Sequence, residues 1–146
     1  MATTRFAETT WKGDLTSGSG TIDYVSSGSF TRMPVTWASR TGDHNGRTSP
    51  EELIAAAHAS CYCMALSAGL TRTGFPPDQL EAEAVVAFER IDGNWTVTSS
   101  RLSVQASVPG ITDDAFQEAA ENAKLGCPVS RALTGNVEIT LEARLT

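Results

Sequence analysis

The sequence predicts an α+β fold: an antiparallel sheet of hairpin-linked strands around one long, buried central helix, in a single domain over residues 1–146. Three observations lead there. The longest apolar run of the chain, Ser49 to Leu66, is entered through a helix start signal. On both sides of it, apolar and polar residues alternate as in strands with one buried face. Gly, Asp and Asn punctuate those segments at the spacing of tight turns. With 146 residues, 40% hydrophobic and 19% charged, the chain is long and apolar enough to bury a core.

Phe6 to Trp11 and Gly20 to Val25 read as two antiparallel strands, with turns at Gly13-Asp14 and Ser17-Gly18-Ser19-Gly20. A third short strand is expected over Val35 to Ala38. The polar loop from Ser39 to Thr48 then hangs Arg40, His44 and Arg47 near the start of the helix. There Ser49 is a cap, Pro50 suits the first helical position, and Glu52 completes a capping box. Leu53, Ile54, Ala55, Ala56, Ala57, Ala59, Cys61, Cys63, Met64, Ala65 and Leu66 leave no polar face, which predicts burial on nearly all sides. The helix is expected to end near Ala68, at Gly69 and the following Thr73-Gly74-Phe75-Pro76-Pro77.

A hairpin follows. Ala82, Ala84, Val86 and Phe88 alternate with Glu81, Glu83 and Glu89, and beyond a turn at Asp92-Gly93-Asn94 come Trp95, Val97, Leu102, Val104, Ala106 and Val108. Thr112 with Asp113 and Asp114 opens a second helix, whose end at Gly126 predicts a left-handed glycine. Cys127-Pro128 starts a short helix that runs toward Gly135, and Val137 to Leu145 alternate as a last strand. A helix apolar all round in so small a chain needs cover beyond its own sheet, and a second copy of itself would supply it.

The formal net charge of −6 argues against a nucleic acid or an anionic membrane as partner. The first ten residues lack the apolar core of a signal peptide, and His58 and Ser60 interrupt the helix enough to predict that it does not span a bilayer. A soluble, cytoplasmic protein is expected. Three cysteines without an export signal point to working thiols or plain buried ones, not to a disulfide framework.

Cys61, in mid-helix, and Cys127, at a helix start, are each in a position to form a redox pair or to be small buried hydrophobes. Cys63 points about 200° away from Cys61 around the helix, so it is core. His58, one turn before Cys61, is open to three readings: a base for the thiol, a zinc ligand with Cys61 and Cys127, or a satisfied core histidine. Glu51 is free of the capping box and can pair with Arg40 or Arg47, or simply complement the helix dipole.

Two segments, Thr48-Ser49-Pro50-Glu51-Glu52-Leu53-Ile54-Ala55-Ala56-Ala57-His58-Ala59-Ser60-Cys61 and Gly126-Cys127-Pro128-Val129-Ser130, resemble a known family. It is that of the osmotically inducible protein C and organic hydroperoxide resistance (OsmC/Ohr) peroxidases. With Val108-Pro109-Gly110-Ile111 and the strand pattern the resemblance extends over nearly the whole chain. Met64-Ala65-Leu66-Ser67 and the second motif are more similar to the OsmC branch than to the Ohr branch.

The resemblance implies an intertwined homodimer that reduces organic hydroperoxides to alcohols with thiols and no cofactor or metal, protecting against oxidative stress. Cys61 matches the attacking cysteine, Cys127 the resolving cysteine, and Glu51 the carboxylate that holds an active-site arginine. Arg40 is the choice for that arginine, with Arg47 as the alternative. An external dithiol, lipoyl-type in the family, would reduce the resulting disulfide. Glu51 lies ten residues before Cys61, about 15 Å along a straight helix, so a Glu51–Arg40 pair would serve the cysteine of the partner copy. Composite sites in an antiparallel helix crossing near Ala56 are therefore expected. The rival reading is a non-catalytic thiol or metal-binding module that uses His58, Cys61 and Cys127.

Overall fold

The computed structural model describes residues 1–146, which fall into two compact units, Met1–Leu53 and Ile54–Thr146. The first unit begins with strands β1 (Ala7–Lys12) and β2 (Ser19–Val25), paired antiparallel as the turn residues predict. Gly20 is needed where it stands: a Cβ there would lie 2.7 Å from the Trp11 ring and 2.9 Å from Val35. Strand β3 (Thr31–Val35) is the edge of this three-stranded sheet, four residues earlier than expected. An edge tolerates Pro34, which has no N–H to give. The expected strand residues instead enter a single helical turn, α1 (Ala38–Thr41). Thr36 and Ser39 cause this by exchanging backbone N–H to side-chain oxygen bonds of 3.2 and 3.1 Å, and the buried Ser39 hydroxyl donates to the Thr48 carbonyl.

Helix α2 (Pro50–Arg72) starts in the first unit and continues into the second. Only half of the expected capping box forms. The Glu52 N–H donates to Ser49 Oγ at 3.2 Å, but the Glu52 carboxylate accepts from the Thr48 hydroxyl at 2.7 Å. The helix also runs past Gly69, because one interior glycine costs only about 1 kcal/mol. Its stop is Gly74, at φ +87°. The Gly74 N–H donates to Thr71 O and the Phe75 N–H to Leu70 O, so a glycine-capped end satisfies the last carbonyls. At 23 residues and mean hydropathy 1.5, α2 is long and apolar enough to cross a membrane, contrary to the expectation that it was too short and too polar.

Nor is α2 buried all round. Its buried residues in the second unit form one stripe at four-residue spacing, His58, Tyr62, Leu66 and Leu70, whereas Ala56, Ala57, Met64 and Ala68 are exposed. The stripe includes the polar His58 and Tyr62 and omits several apolar residues, so hydropathy gave no sign of it. Tyr62, Leu66 and Leu70 join Leu102, Val104, Ala106, Phe116, Ala120 and Cys127 in one core.

Strands β4 (Gln79–Ile91) and β5 (Asn94–Ser107) form the expected hairpin. Its tip is a two-residue turn with positive φ at both Asp92 and Gly93, the geometry that matches strand twist. Helix α3 (Asp113–Gly126) is capped by Thr112, whose hydroxyl accepts the Ala115 N–H. Thr112→Ala is expected to lower stability by about 1 kcal/mol in urea denaturation. Gly126 is not left-handed. It closes α3, and Cys127, extended at φ −60° and ψ 123°, ends one helix and begins α4 (Pro128–Leu133).

Strand β6 (Glu138–Leu145) pairs with β5 in parallel, from Ser99↔Glu138 to Ala106↔Leu145, not antiparallel as expected. The two helices between them supply the long crossover that a parallel pair requires. The single antiparallel sheet thus resolves into two three-stranded sheets, β1-β2-β3 and β4-β5-β6, while the α+β class and the long central helix stand.

Candidate active site

In the first unit, α1 and the start of α2 bring Arg40 onto Glu51. Arg40 Nη2 donates to Oε1 at 2.7 Å, and Nε lies 3.3 and 3.2 Å from the two carboxylate oxygens. This forked contact suits a guanidinium and not an ammonium. Glu51 is buried, Arg40 is part-exposed, and the guanidinium carbon stands 5.3 Å from the centre of the Trp37 ring. Arg47 is exposed on the loop, and His44 Nδ1 lies 3.1 Å from the Ser39 carbonyl. Beside Arg40 opens a mostly apolar cleft of about 380 Å³, lined by Trp11, Leu15, Val35, Thr36, Trp37 and Pro50.

In the second unit, Cys61 on α2 packs against the core that holds Cys127 at the start of α4, near enough for each thiol to act on the other's proton affinity. All three cysteines are reduced. The Cys61 and Cys127 thiols are inequivalent. Burial pushes Cys61 up, and a backbone bond from Val129 only partly opposes it. Burial also acts to raise Cys127, but the Ser130 N–H, the Cys61 thiol and the Ser130 hydroxyl outweigh it and hold Cys127 below an ordinary thiol. That is the environment of a cysteine at a helix start. Cys63 is half-buried and raised by burial.

His58 is fully buried, with Nδ1 2.7 Å from Ser100 Oγ and Nε2 2.8 Å from Ser130 Oγ. Burial lowers its proton affinity, so the ring is neutral. Both ring nitrogens are therefore engaged by hydroxyls, and no group of three His, Cys, Asp or Glu side chains is arranged to hold a metal. Of the three readings of His58, the satisfied core histidine fits this geometry and the zinc ligand does not.

Ser100, Ser130 and Trp37 were not singled out from the sequence. Only Ser130 left a local signal, three residues after a cysteine that begins a helix.

Residues 42–142 match the family described as OsmC-like protein. Peroxiredoxin OsmC of Escherichia coli (strain K12) is 39% identical over 135 residues, which cover 92% of each chain. The organic hydroperoxide resistance protein of Xanthomonas axonopodis pv. citri is 28% identical over 95 residues, 64% of this chain and 65% of its own. Among solved structures, OhrB of Bacillus subtilis superposes with a TM-score of 0.71 at 25% identity, covering 94% of this chain and 97% of that one. The family match, the 39% relative and the shared fold give one conclusion: the chain belongs to the OsmC-like protein family.

Proposed function

We propose that this protein is a cytoplasmic thiol-dependent peroxidase that reduces organic hydroperoxides to alcohols. The names of its relatives, a peroxiredoxin and organic hydroperoxide resistance proteins, support an antioxidant role of this kind. The observation that carries the mechanism is the packing of Cys61 against the core that holds Cys127, which brings the two thiols near enough to act on each other. In this reading the Cys61 thiolate attacks the distal peroxide oxygen, the O–O bond breaks, and the alkoxide leaves as alcohol after taking a proton. Cys61 is left as a sulfenic acid. Cys127 condenses with it to a disulfide and water, and an external dithiol of lipoyl type restores both thiols. The apolar cleft beside Arg40 favours an organic hydroperoxide over hydrogen peroxide, because an alkyl group gains from leaving water.

In the lone chain burial raises the Cys61 thiol while Cys127 is held below an ordinary thiol, the opposite of what the nucleophile needs. A fixed cation beside Cys61 reverses the order. Arg40, held by Glu51, is that cation in our reading, and the ten residues of α2 between Glu51 and Cys61 support its coming from the other copy in a homodimer. A dimer also gives the exposed residues of α2 a partner.

Treating the reduced protein with one equivalent of an alkyl hydroperoxide is expected to lower its intact mass by about 2 Da, with Cys61 and Cys127 joined in one peptide pair. An unchanged mass, or a pair that includes Cys63, would sink the mechanism. The rival metal-binding reading predicts zinc in the purified protein, yet His58 has no ring nitrogen to spare for it.

A further inference from the structure

Cys127 is fully buried, in one cluster with Tyr62, Leu66, Phe116, Ala120 and Ala123. Cys61 packs against that cluster and stays part-exposed. A partner copy can add cover to the chain but cannot uncover Cys127, so the burial of that residue holds in any assembly of this fold. Hydroperoxide, in contrast, has to reach Cys61. The working enzyme therefore keeps a route from solvent to one sulfur of the pair and needs none to the other. A thiolate that reduces a disulfide attacks one sulfur in line with the S–S bond, from the side opposite the sulfur that leaves. Attack on Cys127 would have to come through the packed side chains around it. Attack on Cys61 comes from the side that peroxide already uses. Leaving-group chemistry agrees: Cys127 is held below an ordinary thiol, Cys61 is raised by burial, and the thiol of lower pKa leaves faster.

We propose that the reductant enters by the route the hydroperoxide uses, attacks the Cys61 sulfur of the disulfide and expels Cys127. The inference rests on the reading that Cys61 and Cys127 are the pair that closes. One thiolate of the external dithiol gives a lone pair to Cys61 Sγ. The protein S–S bond breaks with its electron pair on Cys127, which takes up a proton. The second thiolate of the dithiol then attacks the dithiol's own first sulfur, and the mixed disulfide breaks with its electron pair on Cys61. The dithiol is oxidised by two electrons to a cyclic disulfide, and the protein disulfide is reduced by the same two. Of the two protons the dithiol loses, one ends on Cys127 and one in solution. Cys61 emerges as the thiolate that meets the next hydroperoxide.

The test uses the full-length protein, oxidised in parallel with diamide and with an alkyl hydroperoxide. Each sample then meets the monothiol 2-mercaptoethanol, which cannot complete the second exchange within one molecule, and is quenched in acid before a full turnover. Fragment-ion mass spectrometry places the adduct, which also separates Cys61 from the nearby Cys63. The adduct is expected on Cys61, in about tenfold excess over Cys127. In urea, where burial is lost, the preference should disappear. Equal shares in the folded protein, an adduct mainly on Cys127 or Cys63, or a preference that persists in urea overturns the proposal. Failure of both oxidants to join Cys61 to Cys127 overturns it too. A disulfide formed by diamide and not by hydroperoxide removes the peroxidase reading alone, and the adduct on the diamide sample still decides which sulfur is attacked.

Discussion

Cys61→Ser is expected to cut hydroperoxide consumption by roughly 10³-fold or more, the scale of losing a nucleophile. Serine is close to cysteine in size, and Cys61 is only half-buried, so the fold should persist and the loss should be chemical. A serine hydroxyl ionises far above any working pH and cannot take the thiolate's part. Cys127→Ser makes the contrasting control. A first equivalent of peroxide should give the Cys61 sulfenic acid, and excess peroxide should then carry it to sulfinic and sulfonic acid, one further equivalent per step, for want of a partner thiol. Mass spectrometry reads the difference as added oxygen. Sustained turnover in Cys61→Ser would exclude the mechanism outright.

The second large effect is at Arg40. Arg40→Ala removes the guanidinium and leaves the buried Glu51 carboxylate without its forked partner, at a cost of about 1–3 kcal/mol in stability. On the proposed mechanism turnover should fall by roughly 10²-fold, the expected loss of a fixed charge that would favour the Cys61 thiolate and bond the peroxide. Arg40→Lys should recover little, since an ammonium cannot make the same fork. Mixing then tests where the arginine acts. In a heterodimer of Cys61→Ser with Arg40→Ala, a composite arrangement rebuilds one intact site, with cysteines from one subunit and arginine from the other. Random reassortment makes half the dimers mixed, with one working site of two, so about a quarter of wild-type activity should return. No recovery after confirmed subunit exchange would mean that each chain uses its own Arg40.

What was legible in the sequence was local. The start of α2 at Ser49-Pro50, the cap at Thr112 and the Asp92-Gly93 hairpin tip each depend on a few adjacent residues and stand as read. The direction of β6 did not, because an alternating strand reads the same whether its neighbour is parallel or antiparallel. The end of α2 was misjudged because a glycine signals a stop through its left-handed φ, which Gly74 has and Gly69 has not. At the site, the Arg40–Glu51 contact followed from one motif beside a short loop. Ser100 had no such trace, and the motif that holds Ser130 says nothing of His58, for their proximity exists only once β5 and α4 have packed against α2. Motif resemblance marked the two cysteines, and only coordinates could say which of them sits among more hydrogen-bond donors.

The single buried stripe of α2 has a consequence for handling the protein on the dimer reading. Ala56, Ala57, Met64 and Ala68 remain wet in one chain, so association and the final stage of folding become one equilibrium. Protomer concentration then enters the melting temperature as a ligand concentration would. Dilution becomes a denaturant, and expression level becomes a regulator: below a threshold abundance the chain would lose catalytic power and structural robustness together.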